Sequence, residues 1–577
     1  MVGRQKRLMN RGMVCSRVAE NPDQLGEAHF PLGTHVIRQI RFHQDQERRF
    51  CEKISHGPSC RFCWLACGPG GKLSHDMEMV SPISNRWGLL RAHFLIFLSC
   101  RLLVPELCAA VPGPLPDYEP TGESLRQHPV PDWFKDAKLG VLIHLGPYSI
   151  PAWAPRTGEV AEEVARAGWE SWFTRHPASE FYLNSLRIPG SPVAKFHAET
   201  FGRGFDYSDF ASKLVEASRG FKPEALTRWL GAAGFRYLIF TAKHHDGHLM
   251  WPGVWTGRDR TIKPSASEHD FVSDWAEATR SSGMKFGVYY SSGLDWSFTE
   301  NPITNAAGLF ISTPAQTNYL TSVDRHWRDL VQRVKPDILW NDLGVPQDFR
   351  TEALIADYYN RVPGGIVNDR FSLGLYPGVQ KAHADFRTPP VADSDRQQGR
   401  YFEVMRPLGK SCGFQPGEAD QDLIPFSDLV RTLVDVTSRN GRLLLALGPS
   451  PAGEIAAPHR KWLDQLGAWM KIHGEGLHGT RPWNIPALRS PEGVEMRFAA
   501  RSTQLYVHCF PSAESRRITI SPLRLMPETR MTFLGQEDSV KWKTDGQRTI
   551  VDLPDFPANT PVLTLRITPQ PVWMQPP

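Results

Sequence analysis

The stretch Pro336-Asp337-Ile338-Leu339-Trp340-Asn341-Asp342-Leu343-Gly344 decides how this chain is read. A short apolar run behind a helical segment has the pattern of a buried strand, and Asp342 falls where that strand leaves a sheet for a loop containing glycine. Taken alone, such an aspartate could be a solvated loop acid or the cap of the next helix. What favours chemistry is company, because other strand-like runs in the chain end on polar residues of the same kind.

Working outward, the candidate strands are 139–144, 236–241, 285–290, 338–341, 365–368, 401–404 and 442–447. Between several of them lie segments with apolar residues at three- and four-residue spacing, at 223–233, 271–282, 323–334 and 351–359, with late helices at 428–436 and 461–473. Strand and helix alternating at this cadence predict a parallel sheet with crossover helices, and the number of units suits a (β/α)8-like barrel over 132–480. After Thr480 the period changes. Short β-rich runs at 496–499, 504–508, 518–520, 532–533, 549–553 and 562–567, separated by Pro, Ser and Gly, predict a small C-terminal antiparallel β-sandwich over 481–577.

The 577 residues exceed one ordinary core, and a net charge of +5 spread along the chain gives no argument for nucleic acid. Eighteen tryptophans supply flat apolar walls of the kind on which sugars lie. Residues 1–78 lack a strand or helix period and read as disordered or as an upstream extension. Within them Cys60, Cys63 and Cys67 have the spacing of half a zinc site, but no second cluster follows, so no metal is expected. Over 79–110, basic residues from Arg86, the apolar run 94–98 and then Cys108-Ala109-Ala110 have the order of a secretory signal peptide too short to span a bilayer. The expected mature protein begins near Val111 with a Pro-rich linker over 111–131 and is secreted or periplasmic.

If the strands are parallel, the polar residues at their ends converge on one mouth: His144, His244, His245, Tyr289, Asp342, Arg370 and Glu403. Three neutral imidazoles, a phenol and a guanidinium suit a small polyhydroxylated ligand. Three histidines could instead hold zinc or iron, as in metal-dependent barrel hydrolases. Against that, His244 and His245 would project to opposite sides of an extended strand, with no second acidic ligand close by.

The strings Lys-Leu-Gly-Val-Leu-Ile-His-Leu-Gly-Pro-Tyr-Ser from Lys138, Ser-Glu-Phe-Tyr from Ser179, Thr-Ala-Lys-His-His-Asp-Gly from Thr241, Lys-Phe-Gly-Val-Tyr-Tyr-Ser from Lys285, Leu-Trp-Asn-Asp from Leu339 and Val-Asn-Asp-Arg from Val367 resemble those of the α-L-fucosidases, glycoside hydrolase family 29. The resemblance runs from about Trp133 to Trp483. It implies a barrel followed by a β-sandwich, and retaining hydrolysis of terminal α-linked L-fucose from a fucosylated glycan, with neither metal nor cofactor. By matching position it implies that Asp342 is the nucleophile, and that His144, Glu180, His244, His245, Tyr289 and Arg370 hold the sugar and position Asp342. Leu142 and Trp340 would contact the C5 methyl, and Phe181 stands in the site where relatives have tryptophan.

Several positions depart from the family pattern. In Asp385-Phe386-Arg387-Thr388-Pro389-Pro390, Pro390 occupies the place of an acid/base glutamate, and a proline moves no proton. Tyr401-Phe402-Glu403 matches the string that carries the acid/base in other members, so Glu403 is the expected proton donor, with Asp393 and Asp395 as alternatives and a structural acid as the other reading of Glu403. Leu145 replaces a tryptophan, Cys412 an aromatic, and Ala446 an asparagine. An exo-acting enzyme is the reading these residues favour; a fucose-binding protein that kept the sugar ring of donors and lost proton transfer is the alternative.

Overall fold

The computed structural model describes residues 117–574 except 159, 257–265, 373–381, 398 and 537–539. The expected extension, signal segment and half zinc site therefore lie outside the described residues, as do the first six residues of the expected linker, whose remainder includes a short helix at Gly122–Leu125. Seven parallel strands, β1 (Leu139–Ile143), β2 (Tyr237–Lys243), β3 (Lys285–Ser291), β4 (Ile338–Asp342), β5 (Ile366–Val367), β6 (Phe402–Pro407) and β7 (Gly441–Leu447), pair in the order β5-β4-β3-β2-β1-β7-β6. The two open edges are joined by one short segment: Asn368 bridges Phe386 and Arg387 bridges Phe402, both parallel. Asp385 N–H donates to the Val367 carbonyl and Glu403 N–H to that of Arg387, so residues 385–387 serve as the eighth stave.

The helices behind these strands are α1 (Glu224–Ala232), α2 (Phe271–Ser281), α3 (Thr317–Val334), α4 (Thr351–Arg361), α5 (Phe426–Ser438) and α6 (Ala457–His473). Their apolar faces carry residues such as Leu230, Trp275, Trp327, Leu354, Leu433 and Leu466, and these form the outer core layer with the outward residues of the strands. Helix α3 begins six residues before the apolar spacing suggests, because its first turn, Thr317-Asn318, is polar and carries no stripe. No helix among the described residues is long and apolar enough to cross a membrane.

The barrel interior is filled in layers by side chains of alternate strand residues. Arg442 plugs the lower end: it is fully buried, stacks 3.7 Å from the ring centroid of Phe134, and donates to the carbonyls of Phe134 and Phe402 at 2.9 and 3.2 Å. Burial pushes its pKa down to about 10, outweighing the nearby Tyr237 and Glu403, which favour the charged form. The middle layer holds Tyr237, Trp340 and Glu403. The period of two then sends Asp342, two residues beyond Trp340, to the same inner face at the mouth.

Beyond the barrel, a five-stranded antiparallel sheet, with its strands in the order Arg530–Phe533, Leu563–Thr568, Gln504–Phe510, Glu495–Arg501 and Arg481–Arg489, and smaller sheets of three and two strands enclose a second core around Phe498, Val507, Ile520 and Leu565. The strand Arg481–Arg489 and the strand Trp542–Asp545 were not legible. The first contains Pro482 and Pro486, is an edge strand, and shifts register between Pro482 and Ala487, which is where proline is tolerated. The second is exposed along its whole length, so no apolar alternation marks it.

Candidate active site

Asp342 ends β4 on an unusual backbone. Leu343 has φ 56° and Gly344 φ 84°, and a Cβ on Gly293 would lie 1.7 Å from the Leu343 carbonyl oxygen. A non-glycine residue in the left-handed region is strained, and such strain concentrates where a side chain must be aimed. Here the turn lets the Leu343 N–H donate to Oδ1 of Asp342 at 3.0 Å. Arg370 also donates to Oδ1, and Tyr289 donates its hydroxyl to Oδ2 at 2.7 Å. Burial alone raises the carboxyl pKa, but Arg370, His245 and these hydrogen bonds outweigh it and hold Asp342 below the ordinary carboxylate range. It is therefore an anion at neutral pH, 8% exposed, at the mouth of the barrel.

The histidines gather beside it. Strand β2 ends at Lys243, and a turn closed by Gly247 N–H on the His244 carbonyl places the rings of His244 and His245 with centroids 4.1 Å apart. They do not point to opposite sides, because neither belongs to the strand. His144 lies 5.4 Å from His244 and from Tyr289, ring to ring. Ser291 donates its hydroxyl to the Leu294 carbonyl, so the 2.8 Å contact between its oxygen and His245 Nδ1 makes Nδ1 the donor. His245 Nε2, 4.0 Å from Asp342, then presents a lone pair to the mouth. Burial holds His245 and His176 down to about 4, lowers His144, and with the neighbouring rings lowers His244 far below its ordinary value. All four are neutral at pH 7.

Glu180 is 5% exposed and fixed by the loop after β6: Ser411 Oγ and Gly413 N–H donate to Oε2 at 3.0 and 2.9 Å, and Cys412 N–H donates to Oε1 at 3.2 Å. Phe181 stacks on His176 at 4.1 Å and meets Trp296 at 5.3 Å. Trp296, which also stands 5.4 Å from His245, and Tyr148, 5.4 Å from His244, belong to this wall but were not singled out from sequence. Tyr148 lies inside a motif string and could have been; Trp296 follows β3 on a loop whose course no periodicity reveals.

Two expectations need correction. Trp340 and Leu142 have no exposed surface and so wall the site from behind rather than touch a methyl group. The Trp340 ring is held between Tyr289, 5.3 Å away, and the Arg370 guanidinium, 4.7 Å away. Glu403 does not reach the mouth either. It is fully buried in the layer below Asp342, accepting from Tyr237 Oη at 2.5 Å on one oxygen and from Trp340 Nε1 at 2.8 Å on the other. Burial raises its pKa, yet a raised pKa makes an acid only where a substrate can arrive. The alternatives fare no better: the turn Val391–Arg396 borders a cavity shared with Arg431 and Asp435 of α5 and with Arg497 and Phe510 of the sandwich, on the outside of the barrel. Asp393 pairs there with Arg396 at 2.9 Å, and the side chain of Asp395 lies outside what is described.

The lowered imidazoles make a stability prediction. His176, His245, His473 and His478 sit at about 4 and His508 at about 3, against 6.5 when unfolded. Below pH 6.5 the unfolded chain binds protons that the native state refuses, so this stability is complete above that pH and is lost as pH falls toward 4. Asp246, raised to about 6 by burial, and Glu403, raised by the same cause, act in the opposite sense but are two groups against five. Thermal unfolding followed by circular dichroism should give a lower Tm at pH 4.5 than at pH 7; an equal or higher Tm contradicts these burial effects.

The chain is similar to known proteins in sequence and fold. The sequence model of the family described as Alpha-L-fucosidase matches residues 109–475. Tissue α-L-fucosidase of Rattus norvegicus is 26% identical over 460 residues, 77% of this chain and 90% of that protein; the Homo sapiens protein is 26% identical over 456 residues, 76% and 88% of the respective lengths. Among solved structures, a Thermotoga maritima α-L-fucosynthase in complex with α-L-Fuc-(1-2)-β-L-Fuc-N3 superposes with a TM-score of 0.69 at 33% identity, covering 79% of this chain and 100% of that one. The Thermotoga maritima α-fucosidase in complex with a mechanism-based inhibitor gives 0.67 at 33% identity, covering 78% and 100%. With its barrel, its sandwich and a family match over more than half its length, this chain belongs to the α-L-fucosidases, family 29 of the glycoside hydrolases.

Proposed function

We propose that this chain is a retaining exo-α-L-fucosidase that releases terminal α-linked L-fucose from oligosaccharides or glycoconjugates, with Asp342 as its nucleophile. The observation that carries the reading is the ionised Asp342 carboxylate, held by Arg370, Tyr289 and Leu343 N–H beside neutral imidazoles. An Asp342 oxygen attacks the anomeric carbon as the bond to the leaving oxygen breaks, through an oxocarbenium-like transition state, and gives a glycosyl ester. Water then attacks the same carbon, the ester bond to Asp342 breaks, the proton that water loses balances the aglycone oxygen that left as an anion, and fucose leaves with its original anomeric configuration. Donors to Asp342 keep it ionised and aimed before attack. A neutral imidazole offers a sugar hydroxyl either an N–H or a lone pair, His245 offering the lone pair of Nε2, and a wrong sugar leaves these buried groups unpaired. The order of basic, apolar and small residues over 79–110 supports a mature enzyme acting outside the cytoplasm.

A second reading, a fucose-binding protein with impaired proton transfer, is favoured by Pro390 at the family's acid position and by the sealed Glu403. 4-Nitrophenyl α-L-fucoside separates the two, because its leaving group needs little acid assistance. Proton NMR of the reaction should show α-L-fucose as the first anomer formed. First appearance of the β anomer refutes retention, and binding of L-fucose without turnover of this glycoside establishes the second reading.

A further inference from the structure

The loop between β3 and α3 holds a cavity of about 580 Å³ that the site described above does not use. Its polar wall is made by Asn301, Thr304, Asn305, Ser312, Thr313 and Gln316, and its apolar wall by Phe298, Ile303, Pro302 and Pro314. Among the described residues, no charged one lines it. Amides and hydroxyls over an apolar floor match a neutral polyhydroxylated ligand, whose hydroxyls take part in hydrogen bonds while its C–H faces rest on apolar surface. A nucleotide, a phosphate or an acidic peptide would find no cation among these lining residues.

The cavity is fixed beside the mouth. Asn184, three residues after Phe181, donates to the Ile303 carbonyl at 3.0 Å and accepts from the Ile303 N–H at 2.7 Å. Arg187 donates to the carbonyls of both Trp296 and Thr299, at 2.6 and 2.5 Å, tying the cavity rim to the residue that stands against His245. Ile303 and Trp296 share one buried apolar cluster with Tyr148, and Phe181 packs on it. Thr299 is three residues from Trp296, a span of at most about 10 Å. A glycan whose terminal unit lies at Asp342 thus has its next sugars within reach of this cavity.

We propose that the β3–α3 loop cavity is the binding site for the neutral oligosaccharide that carries the fucose. The proposal rests on the α-L-fucosidase reading and deepens it. It places aglycone recognition on a loop, apart from the strand ends that hold the monosaccharide.

The test measures binding by titration calorimetry on the full chain carrying Asp342→Asn, so that substrate is not consumed. The ligands are L-fucose, 2′-fucosyllactose and 3-fucosyllactose. One of the two trisaccharides should bind about tenfold or more tightly than L-fucose, and combined Asn301→Ala and Gln316→Ala should bring the ratio of the two Kd values close to one, since each amide supplies a hydrogen bond. Thr313→Trp, which fills the cavity without removing an amide, should do the same. Equal affinity of all three sugars, or a ratio that survives these substitutions, overturns the proposal. Failure of every sugar to bind instead overturns the functional reading on which it stands.

Discussion

Asp342→Ala lowers kcat on 4-nitrophenyl α-L-fucoside by about 10³-fold or more, because the covalent route loses its attacking atom and no neighbour supplies another. The loss should leave the fold intact, since Asp342 lies at the mouth and its removal frees Arg370 and Tyr289 toward solvent. Sodium azide, small enough to occupy the vacated carboxylate position, should restore turnover and yield β-L-fucosyl azide, the product of attack on the face Asp342 occupied. Restored turnover with an α-configured azide would place the nucleophile elsewhere. Undiminished activity of the alanine variant would remove Asp342 from the reaction altogether.

Glu403→Ala should act on the fold rather than on proton transfer. Truncation leaves Tyr237 Oη and Trp340 Nε1 as buried donors without an acceptor, each costing about 1–3 kcal/mol, and opens a cavity in the barrel interior. The combined loss is about 3–5 kcal/mol, a large share of the stability of an ordinary domain. It should appear as a lower Tm and denaturation midpoint. Because Trp340 stacks on Tyr289 and under Arg370, both of which hold Asp342, kcat/KM should fall by a similar factor on aryl fucosides and on natural glycans. A general acid behaves differently: its loss spares the good leaving group and leaves Tm nearly unchanged. That outcome would return Glu403 to the reaction as its proton donor.

The two carboxylates show how a pKa direction misleads without access. Asp342 is lowered and Glu403 raised, the pattern of a nucleophile beside an acid. The alternation along β4 and the register of β6 against β7 put them in different layers of the barrel, and only one layer faces the mouth.

All seven barrel strands were legible in the sequence, because six of them are buried on both faces almost throughout and read as short apolar runs between breakers, and the first half of β6, Phe402–Val404, is buried as well. Most residues of the mouth were legible for a related reason: parallel strands must end on the same side, so polar residues at their C-terminal ends meet; Glu403 is the exception, because β6 runs on to Pro407 and leaves it low in the barrel. The period of two inside each strand likewise fixed which residues share an inner face. Tertiary structure alone decided the rest. The eighth stave is two bridged residues, too short to carry a pattern. His244 and His245 converge because β2 stops at Lys243, two residues short of an extended run that would include both, and Trp296 reaches His245 from a loop with no period. Depth along the barrel axis, which separates Asp342 from Glu403, depends on the stagger between neighbouring strands, and that stagger is set by pairing across the ring rather than by any one strand's own residues.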